Sequence, residues 1–437
     1  MLKRIIHTPA SLSLKPNIGA LSRIYKNVCF LDSNKDLNDN RYLTRDALLA
    51  VGGHREIVIH DHKYAFPLLQ SFIEQNKGWM FGYLSYDLKN AVEDLYSKHY
   101  DGTGFPVIHF FCPDTVIEIN RDQHIINYDD SFVSEEEALS IYKHAWCPEQ
   151  QGITTAPVIK NRITREEYIN SFSNLKKHIL RGDIYEINFC QEFYAENALI
   201  DPAAVYKVLH LASAAPFSAY CKLNNHYILS SSPERFLKKD NQTLISQPIK
   251  GTVRRSSDLQ EDLLLKEQLF NDDKERNENV MIVDLVRNDL SKIAEKGSVK
   301  VDELFGIYSF RQVHHMISTV SCTVKADLSF TDIIRAVFPM GSMTGAPKVR
   351  AMQLIEEAES SRRGVYSGAL GYIDPSGNFD LSVVIRSILY NSVNKYLSFT
   401  TGSAITAKAD AEQEYEECLL KAAAMFNALS ATARNHN

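Results

Sequence analysis

Apolar residues recur along the chain with two different spacings, and each spacing predicts its own kind of element. Residues 165–181 carry apolar side chains at helical spacing and are followed by Gly182, which predicts a helix that ends at this glycine. Shorter runs rich in aromatic and β-branched residues predict strands at 78–88, 184–193 and 220–230, and one or two strands over 104–120, where Pro113 separates them. With a turn signal at 374–378 (DPSGN), this mixture predicts an α+β chain.

Length and composition set the scale of the fold. The chain has 437 residues, of which 44% are apolar, so it can bury a core without disulfides or metal. This length predicts two or three domains, or one large intertwined domain. The stretch most typical of a linker is 147–161, which holds two prolines, a glycine and several polar residues between two helical patterns.

Charge and hydropathy exclude several kinds of partner. The formal net charge of -6 offers no basic field for a phosphate backbone, so we expect no nucleic-acid partner. No apolar run reaches the roughly 18 residues of a membrane helix, and residues 1–14 lack the apolar core of a signal peptide. We therefore expect no membrane partner and a cytoplasmic location. The seven cysteines form no C-x-x-C pair and no zinc spacing, which predicts buried reduced thiols.

Two predicted helices carry glutamates on one face. Asp272 and Asp273 open the first helix and Asp410 caps the second. Each helix bears two glutamates three residues apart: Glu275 and Glu278 on the first, and Glu414 and Glu417, followed by Lys421, on the second. Together the two pairs can hold Mg²⁺, which accepts one or two carboxylates, waters and the oxygens of an acidic substrate. From spacing alone, a solvated face with an exposed Glu417–Lys421 pair is the commoner case.

A glycine-rich stretch and a strand arginine are candidate anion sites. Residues 339–350 (PMGSMTGAPKVR) expose backbone N–H groups before a helix, which suits a carboxylate, although a plain turn fits equally well and the P-loop pattern is not met. On a predicted strand over 379–389, Arg386 either grips a carboxylate in a polar cavity or pairs with Asp380. The His314-His315 pair lies among apolar residues, where a core histidine is usual.

The most specific signal is the segment 247–252 (QPIKGT). Lys250 lies between an isoleucine and a glycine after a strand, and partial desolvation there would lower its pKa toward that of a nucleophilic free amine. The alternative is a surface lysine in a turn. Glu234 directly follows a proline in SSSPERF (230–236), a rigid placement that suits a general acid or an ion pair with Arg235.

Eight motifs occur in one order along residues 162–429: SSSPERF, PIKGT, ENVMIVDLVRNDL, VHHMIST, FPMGSMTGAPKVRAM, GALGYI, FDLSVVIRS and EYEECLLKA. In this order they resemble the chorismate-utilising enzymes, which comprise anthranilate synthase component I, aminodeoxychorismate synthase component I, isochorismate synthases and salicylate synthases. The N-terminal part is similar more weakly, through WMFGYLSYDL and through Phe30-Leu31-Asp32-Ser33, which lies where anthranilate synthases carry part of a tryptophan-inhibition pocket.

The resemblance implies a fold and an organisation. The family fold has two antiparallel β-sheets packed as a sandwich with flanking helices, as in anthranilate synthase component I. We therefore expect an N-terminal region at 1–155 and a chorismate-binding catalytic region at 160–433, intertwined into one large domain.

The resemblance also implies an activity. Lys250 stands where aminodeoxychorismate synthases carry lysine and anthranilate synthases typically carry alanine. This implies that chorismate and ammonia become 4-amino-4-deoxychorismate, in para-aminobenzoate and folate synthesis. Lys250 would attack C2 as the C4 hydroxyl leaves, and ammonia would then attack C4 and displace the lysine. The alternatives are an anthranilate synthase component I and a non-catalytic chorismate-binding relative.

Further residues take roles from the resemblance alone. Glu234 matches the general acid and His315 a histidine near the reacting ring. Glu278 and Glu417 match the principal Mg²⁺ ligands, with Glu275 and Glu414 supporting them, and the metal anchors the ring carboxylate. Arg386 and Tyr372 match the pair that holds the enolpyruvyl carboxylate, and Ser342, the Gly402-Ser403 backbone and Lys421 match further substrate contacts. Since Lys250 must be neutral to react and an ionised Glu234 would raise its pKa, we expect Glu234 to work protonated.

The sequence departs from the family pattern at two places. Glu186, in IYEIN (184–188), stands where relatives that add ammonia usually carry glutamine and those that add water carry lysine. The glycine-rich element reads Thr401-Gly402-Ser403-Ala404, whose added side chains predict a narrower pocket. Ammonia in this family usually comes from a separate glutamine amidotransferase (glutaminase) subunit, so a partner chain is implied.

Overall fold

The computed structural model describes residues 2–8, 15–35, 41–147, 152 and 154–434, apart from the side chains of 433 and 434. The strands in these ranges are β1 (Leu2–His7), β2 (Asn27–Asp32), β3 (Ala47–Val51), β4 (Arg55–Ile59), β5 (Met80–Leu84), β6 (Ile108–Cys112), β7 (Thr115–Ile119), β8 (His124–Asp129), β9 (Lys160–Asn161), β10 (Glu186–Ala195), β11 (Phe217–Leu223), β12 (His226–Ser232), β13 (Arg235–Asp240), β14 (Thr243–Gln247), β15 (Ile249–Arg254), β16 (Lys300–Ser309), β17 (Val313–Thr323), β18 (Gly345–Ala346), β19 (Ala369–Ile373), β20 (Phe379–Val383), β21 (Ser387–Asn391) and β22 (Tyr396–Ile405). The α-helices are α1 (Ile18–Ile24), α2 (Ala65–Gln75), α3 (Glu135–Ala145), α4 (Arg165–Arg181), α5 (Pro202–Ser213), α6 (Leu259–Asn271), α7 (Asp273–Ser291), α8 (Phe330–Val337), α9 (Lys348–Ala358) and α10 (Ala411–Arg434).

The strands form two antiparallel sheets. The larger sheet has the order β1-β8-β7-β3-β2-β11-β12-β21-β22-β10-β18, with β9 beside β10, and the smaller has the order β15-β17-β14-β13-β20-β19-β5-β6-β4, with β16 beside β17. One buried apolar cluster joins residues of both sheets, among them Leu48 and Ala219 from the larger sheet and Phe81 and Leu370 from the smaller. This arrangement confirms the predicted α+β fold with two packed sheets.

Early and late parts of the chain share both sheets. In the larger sheet β2 pairs with β11, and in the smaller sheet β5 pairs with β19. The proposed boundary near residue 155 adjoins 148–151 and 153, which lie outside the described residues, as do 1 and 9–14 of the N-terminal stretch. The division into two regions stays a prediction.

Capping residues explain where the helices near the site begin and end. Gly182 follows α4 with φ 90°, a left-handed conformation that glycine adopts without a steric penalty. The Asp272 carboxylate accepts a hydrogen bond from the Glu275 N–H at the start of α7, and Asp410 accepts from two N–H groups at the start of α10. The predicted starts and ends of these helices are confirmed.

Two predicted strands are each broken in the structure. Residues 220–230 belong to the hairpin of β11 and β12, with Asn224 at φ 56° in its turn. Residues 379–389 belong to β20 and β21, and the chain crosses from the smaller to the larger sheet between them, with Arg386 at φ 51°. Both predictions of a single strand are wrong, because a residue with positive φ ends a run of extended backbone whatever the apolar pattern around it.

Two further expectations concern thiols and membranes. All seven cysteines are free thiols, of which six are buried and Cys147 is exposed. Within the described ranges, no helix combines the length and hydropathy that crossing a membrane requires.

Candidate active site

Charged side chains from both sheets meet near the place where the chain crosses between them. Lys250 on β15 donates a hydrogen bond from Nζ to Oε1 of Glu186 on β10, at 2.5 Å. Glu234, between β12 and β13, accepts a weaker bond from the Ile249 N–H at 3.4 Å. Glu186 and Glu234 are 2% and 4% exposed, and the Lys250 side chain is 11% exposed. The alternative of a surface lysine is therefore excluded.

The charge of Lys250 differs from the expectation. Burial acts to lower its pKa, but the carboxylates of Glu186, Glu278 and Glu234 outweigh burial and hold the pKa above its ordinary value. The expected depression of the Lys250 pKa is thus wrong for the substrate-free chain. The sequence motif around Lys250 reveals its desolvation, whereas Glu186, 64 residues earlier, comes into contact only through folding.

Glu234 has the environment of a carboxylic acid that keeps its proton near neutral pH. Burial raises its pKa to about 7, against the opposing effects of Ser342, the Ile249 N–H, Lys250 and Lys421. The pairing alternative for Glu234 does not occur, because Arg235 forms a bidentate pair with Asp380 at 2.8 and 3.0 Å.

Arg386 is poised to bind an anion. Its guanidinium makes no hydrogen bond or ion pair with the part of the chain that the structure describes, and Asp380 is taken by Arg235. Burial lowers the pKa of Arg386, with Tyr366 and Glu417 as the nearest opposing groups. A partly buried guanidinium that lacks an internal partner is suited to a bidentate carboxylate.

His315 lies beside this arginine on β17. Its Nδ1 is 2.8 Å from the Thr252 hydroxyl, and its ring packs against Phe310. Burial lowers the pKa of His315 to about 3, and Arg386 adds to the effect, so the ring is neutral. A neutral imidazole next to Arg386 can accept or donate a hydrogen bond at the substrate without adding charge.

The structure does not bring Tyr372 to Arg386. Tyr372 lies on the face of β19 that packs between the sheets, against Trp79, Phe81 and Arg45. The tyrosine that lies within electrostatic reach of Arg386 is Tyr366, which is buried just before β19. Successive side chains of a strand point to opposite faces, so Tyr372 lies on the same face of β19 as Leu370, which belongs to the core between the sheets. This explains why Tyr372 packs into that core.

The remaining predicted substrate contacts surround the same pocket. The Ser342 hydroxyl is buried close enough to Glu234 to lower the pKa of that carboxyl, although it forms no hydrogen bond of ordinary geometry with the described residues. Lys421 donates to the Gly402 carbonyl at 2.9 Å and pairs with Glu417 at 2.6 Å. A side chain at residue 402 would meet Cys190 Sγ at 2.4 Å, which explains a glycine there.

Ser403 does not narrow the pocket in the expected way. Its hydroxyl lies 3.1 Å from the Tyr168 hydroxyl, in the layer between α4 and α10, and it lies next to Glu414. The Gly402 carbonyl accepts the bond from Lys421, whereas the Ser403 hydroxyl lies beside Glu414 of α10.

The predicted metal glutamates lie on facing helices, α7 and α10. Lys274 bridges them, with Nζ 4.0 Å from Glu278 Oε1 and 3.7 Å from Glu414 Oε1. Burial raises the pKa of Glu278 to about 7 and raises that of Glu414, while Lys421 holds the pKa of Glu417 below its ordinary value although burial acts the other way. The space between the helices therefore favours a cation.

These residues fit Mg²⁺. Glu278 Oε1 is buried without a hydrogen bond among the described residues, and with Lys274 Nζ 4.0 Å away it keeps an acceptor for a cation. Within the same part of the chain, no three carboxylate, imidazole or thiolate groups lie close enough to hold a metal by themselves. Mg²⁺ needs only one or two carboxylates when waters and substrate oxygens complete its coordination, so the donor set is suitable.

Comparison with known proteins gives this geometry its context. A family model described as chorismate binding enzyme matches residues 26–427. The chain belongs to this family. It is 36% identical to aminodeoxychorismate synthase component 1 of Escherichia coli (strain K12), over 78% of this chain and 74% of that protein. It is 31% identical to anthranilate synthase component 1 of Acetivibrio thermocellus, over 80% of this chain and 75% of that protein.

Solved structures of the family agree with the fold. Anthranilate synthase component I from Streptococcus pneumoniae TIGR4 superposes with a TM-score of 0.77 at 26% identity, covering 87% of this chain and 91% of that one. MenF, the menaquinone-specific isochorismate synthase from Escherichia coli, superposes with a TM-score of 0.76 at 16% identity. The superposition covers 98% of this chain and 95% of that one, and the two share the same fold. The protein is a chorismate-utilising enzyme of the α+β fold expected from the sequence.

Sequence reasoning missed three residues of the site. Tyr366 stands in GVYSG, directly before the quoted GALGYI motif, and Lys274 stands one position before Glu275. Arg363 is buried, pairs with Glu359, and donates to the carbonyls of Met343 and Asn188 at 2.6 and 2.8 Å. Its position in an Arg-Arg-Gly turn offers no periodic signal of burial.

Proposed function

We propose that the chain is an aminodeoxychorismate synthase component I, which converts chorismate and ammonia to 4-amino-4-deoxychorismate for para-aminobenzoate and folate synthesis. The observation that supports it best is the placement of Lys250, whose Nζ lies in a buried pocket with Glu186 and Glu234. A structural lysine needs no proton donor of raised pKa beside it, whereas a nucleophile that displaces a hydroxyl does.

Each group of the pocket has a task in this reaction. Arg386 binds a substrate carboxylate, and His315 and Ser342 orient the ring through hydrogen bonds. Lys250, once neutral, forms a bond from Nζ to C2 while Glu234 gives its proton to the departing C4 hydroxyl, which leaves as water. Ammonia then bonds to C4 and the bond between C2 and Nζ breaks, so that Lys250 is released and nitrogen stays at C4.

The metal and the ammonia complete the proposal. Glu278 and Glu417, with Glu275 and Glu414, would hold Mg²⁺, which when bound supplies positive charge for the ring carboxylate. The designation component 1 in the relatives' names supports a partner, and we propose that a separate glutaminase subunit delivers the ammonia.

The experiment is an assay of the purified chain with chorismate, Mg²⁺ and ammonium at mildly basic pH, followed by product identification by mass and chromatography. We expect 4-amino-4-deoxychorismate, which keeps its enolpyruvyl group. Fluorescent anthranilate, with loss of pyruvate, would instead assign the chain to the anthranilate synthases. Lys250→Ala is the matched control, and an unchanged yield from that variant would contradict the covalent step.

A further inference from the structure

Glu186 is held rigidly against Lys250. Glu186 stands opposite Ala346 where β10 pairs with β18. The backbone N–H groups of Tyr185 and Asn188, on either side of it, donate to the carbonyls of Ala346 and Thr344 at 2.7 and 2.8 Å. Its Oε1 accepts from Lys250 Nζ, and its Oε2 is buried without a hydrogen bond among the described residues. The carboxylate therefore has one protein partner, which is the candidate nucleophile.

Other charged groups surround the pair without touching it. Those within electrostatic reach of Lys250 are Glu234 from the β12–β13 connection, Glu275 and Glu278 from α7, and Glu417 from α10, while Lys421 of α10 faces Glu234. None of these groups forms a hydrogen bond or ion pair with Lys250 or Glu186 within the described ranges, where Glu186 is the one side chain that accepts a hydrogen bond from Nζ. A proton that leaves Lys250 along its existing hydrogen bond thus has Glu186 as its direct acceptor.

We propose that Glu186 is the proton acceptor that converts Lys250 from ammonium to free amine and later returns the proton. This inference rests on the proposed function, because it assigns a partner to the same nucleophile. It concerns a residue at which the chain departs from the glutamine expected in relatives that add ammonia, and it explains why a carboxylate is useful there.

The proton balance closes over one turnover. The proton moves from Nζ to Glu186, the free amine bonds to C2, and the C4–O bond breaks as Glu234 protonates the hydroxyl that leaves as water. Ammonia bonds to C4, the C2–Nζ bond breaks, and neutral Lys250 takes the proton back from Glu186. Glu234 regains its proton from the new C4 ammonium group, so chorismate and ammonia give the amino product and water.

The inference is tested by replacing the acceptor with a neutral isostere. In Glu186→Gln, Lys250 must lose its proton to solvent, so the rate of adduct formation with chorismate and Mg²⁺ depends on the fraction of free amine at each pH. We expect this variant to be at least about tenfold slower than the wild type at pH 7, with a deficit that shrinks by up to about tenfold per pH unit. The rate is followed by intact-protein mass spectrometry, as a ratio to the wild type, so that effects of Glu234 common to both proteins cancel.

Two further variants make the outcome decisive. Glu186→Asp keeps a carboxylate but places it farther from Lys250. Its rate of adduct formation should be lower than that of the wild type by the same factor at every pH. Glu192→Gln neutralises another buried glutamate of β10, which binds Arg162 and Tyr396 away from the pocket, and its ratio to the wild type should not vary with pH. A constant ratio for Glu186→Gln, or a faster reaction at pH 7, would overturn the inference. If the wild type itself forms no adduct, the covalent mechanism of the proposed function falls together with this inference, whereas a wild-type adduct with a constant ratio removes this inference alone.

Discussion

Two polar regions between the sheets differ in how their charges are paired. A cavity beside the segment 30–33 is lined by Asp32, Arg45 and Asp380, with Tyr372 in its wall. Each of its charges has a protein partner: Asp32 pairs with Lys15, Arg45 with Glu118 and Asp374, and Asp380 with Arg235. In the candidate active site, the Arg386 guanidinium has no ion pair or hydrogen bond among the described residues. Glu186 Oε2 and Glu278 Oε1 are buried there without a hydrogen bond, although Glu186 pairs with Lys250 through its other oxygen and Glu278 Oε1 lies 4.0 Å from Lys274 Nζ.

This difference favours the candidate active site, rather than the paired cavity, as the place where a ligand binds. Leaving a buried polar group unpaired costs about 1–3 kcal/mol, so several such groups in one place are tolerated where a ligand completes them. A cavity whose charges are already paired gains less from binding an ion. The predictions below test this contrast by changing one region while the other serves as the reference.

The largest effect is expected at the nucleophile. Lys250→Ala should lower turnover to the 4-amino product on the order of 10³-fold or more, because the reaction loses the amine proposed to attack C2. Because this variant leaves the buried Glu186 carboxylate without its partner, thermal unfolding should begin at a lower temperature than in the wild type, and turnover is compared well below that temperature. Residual turnover within tenfold of the wild type would show that nitrogen is added without a lysine adduct.

Two arginines should respond in opposite ways. Arg363 is buried, pairs with Glu359, and packs over the Tyr86 ring at 4.7 Å. Arg363→Met leaves Glu359 as an unpaired buried charge and should lower the free energy of unfolding by about 3–5 kcal/mol, measured by denaturant titration. A loss below about 1 kcal/mol would mean that this pair is not the anchor of the loop that carries Ser342.

Removal of the general acid should change both rate and pH dependence. With a pKa raised from its usual value to about 7, Glu234 is protonated below that pH and loses its proton as the pH rises through it, so the wild-type rate of adduct formation should fall on the alkaline side. Glu234→Gln should be about 10²-fold slower and should lack this alkaline fall. A variant that keeps the wild-type profile would assign the proton donor elsewhere.

Arg386→Met tests the unpaired guanidinium. Since its charge has no protein partner, the loss should leave stability unchanged or raised, while KM for chorismate rises by about 10- to 100-fold, as removal of a charged hydrogen bond does. Steady-state kinetics and thermal unfolding separate the two effects. A stability loss like that of Arg363→Met would place Arg386 among the structural ion pairs.

The smallest effect is expected in the paired cavity. Tyr372→Phe should change KM and kcat less than about twofold, because the ring lies between the sheets, whereas Tyr366→Phe alters a tyrosine within electrostatic reach of Arg386. A large rise in KM for Tyr372→Phe alone would show that the carboxylate site extends into this cavity.

Local signals explain which features were predictable from sequence. Capped helices such as α4, α7 and α10, and the strands beside Pro113, follow from residues within a few positions of each other. The break at Arg386 and the hairpin at Asn224 depend on single residues with positive φ, which apolar patterns do not reveal. Contacts that fold from distant segments, such as Lys250 with Glu186, or that depend on strand face, such as Tyr372, needed the structure.

We propose that Lys250 is a nucleophile in a pocket that contains unpaired polar groups. The most direct measurement is the intact mass of the chain after incubation with chorismate and Mg²⁺ in the absence of ammonia, with peptide mapping of the modified residue. We expect a mass gain equal to chorismate less one water, located on Lys250 and absent in Lys250→Ala. An unmodified Lys250 in a preparation that forms 4-amino-4-deoxychorismate once ammonium is added would contradict it.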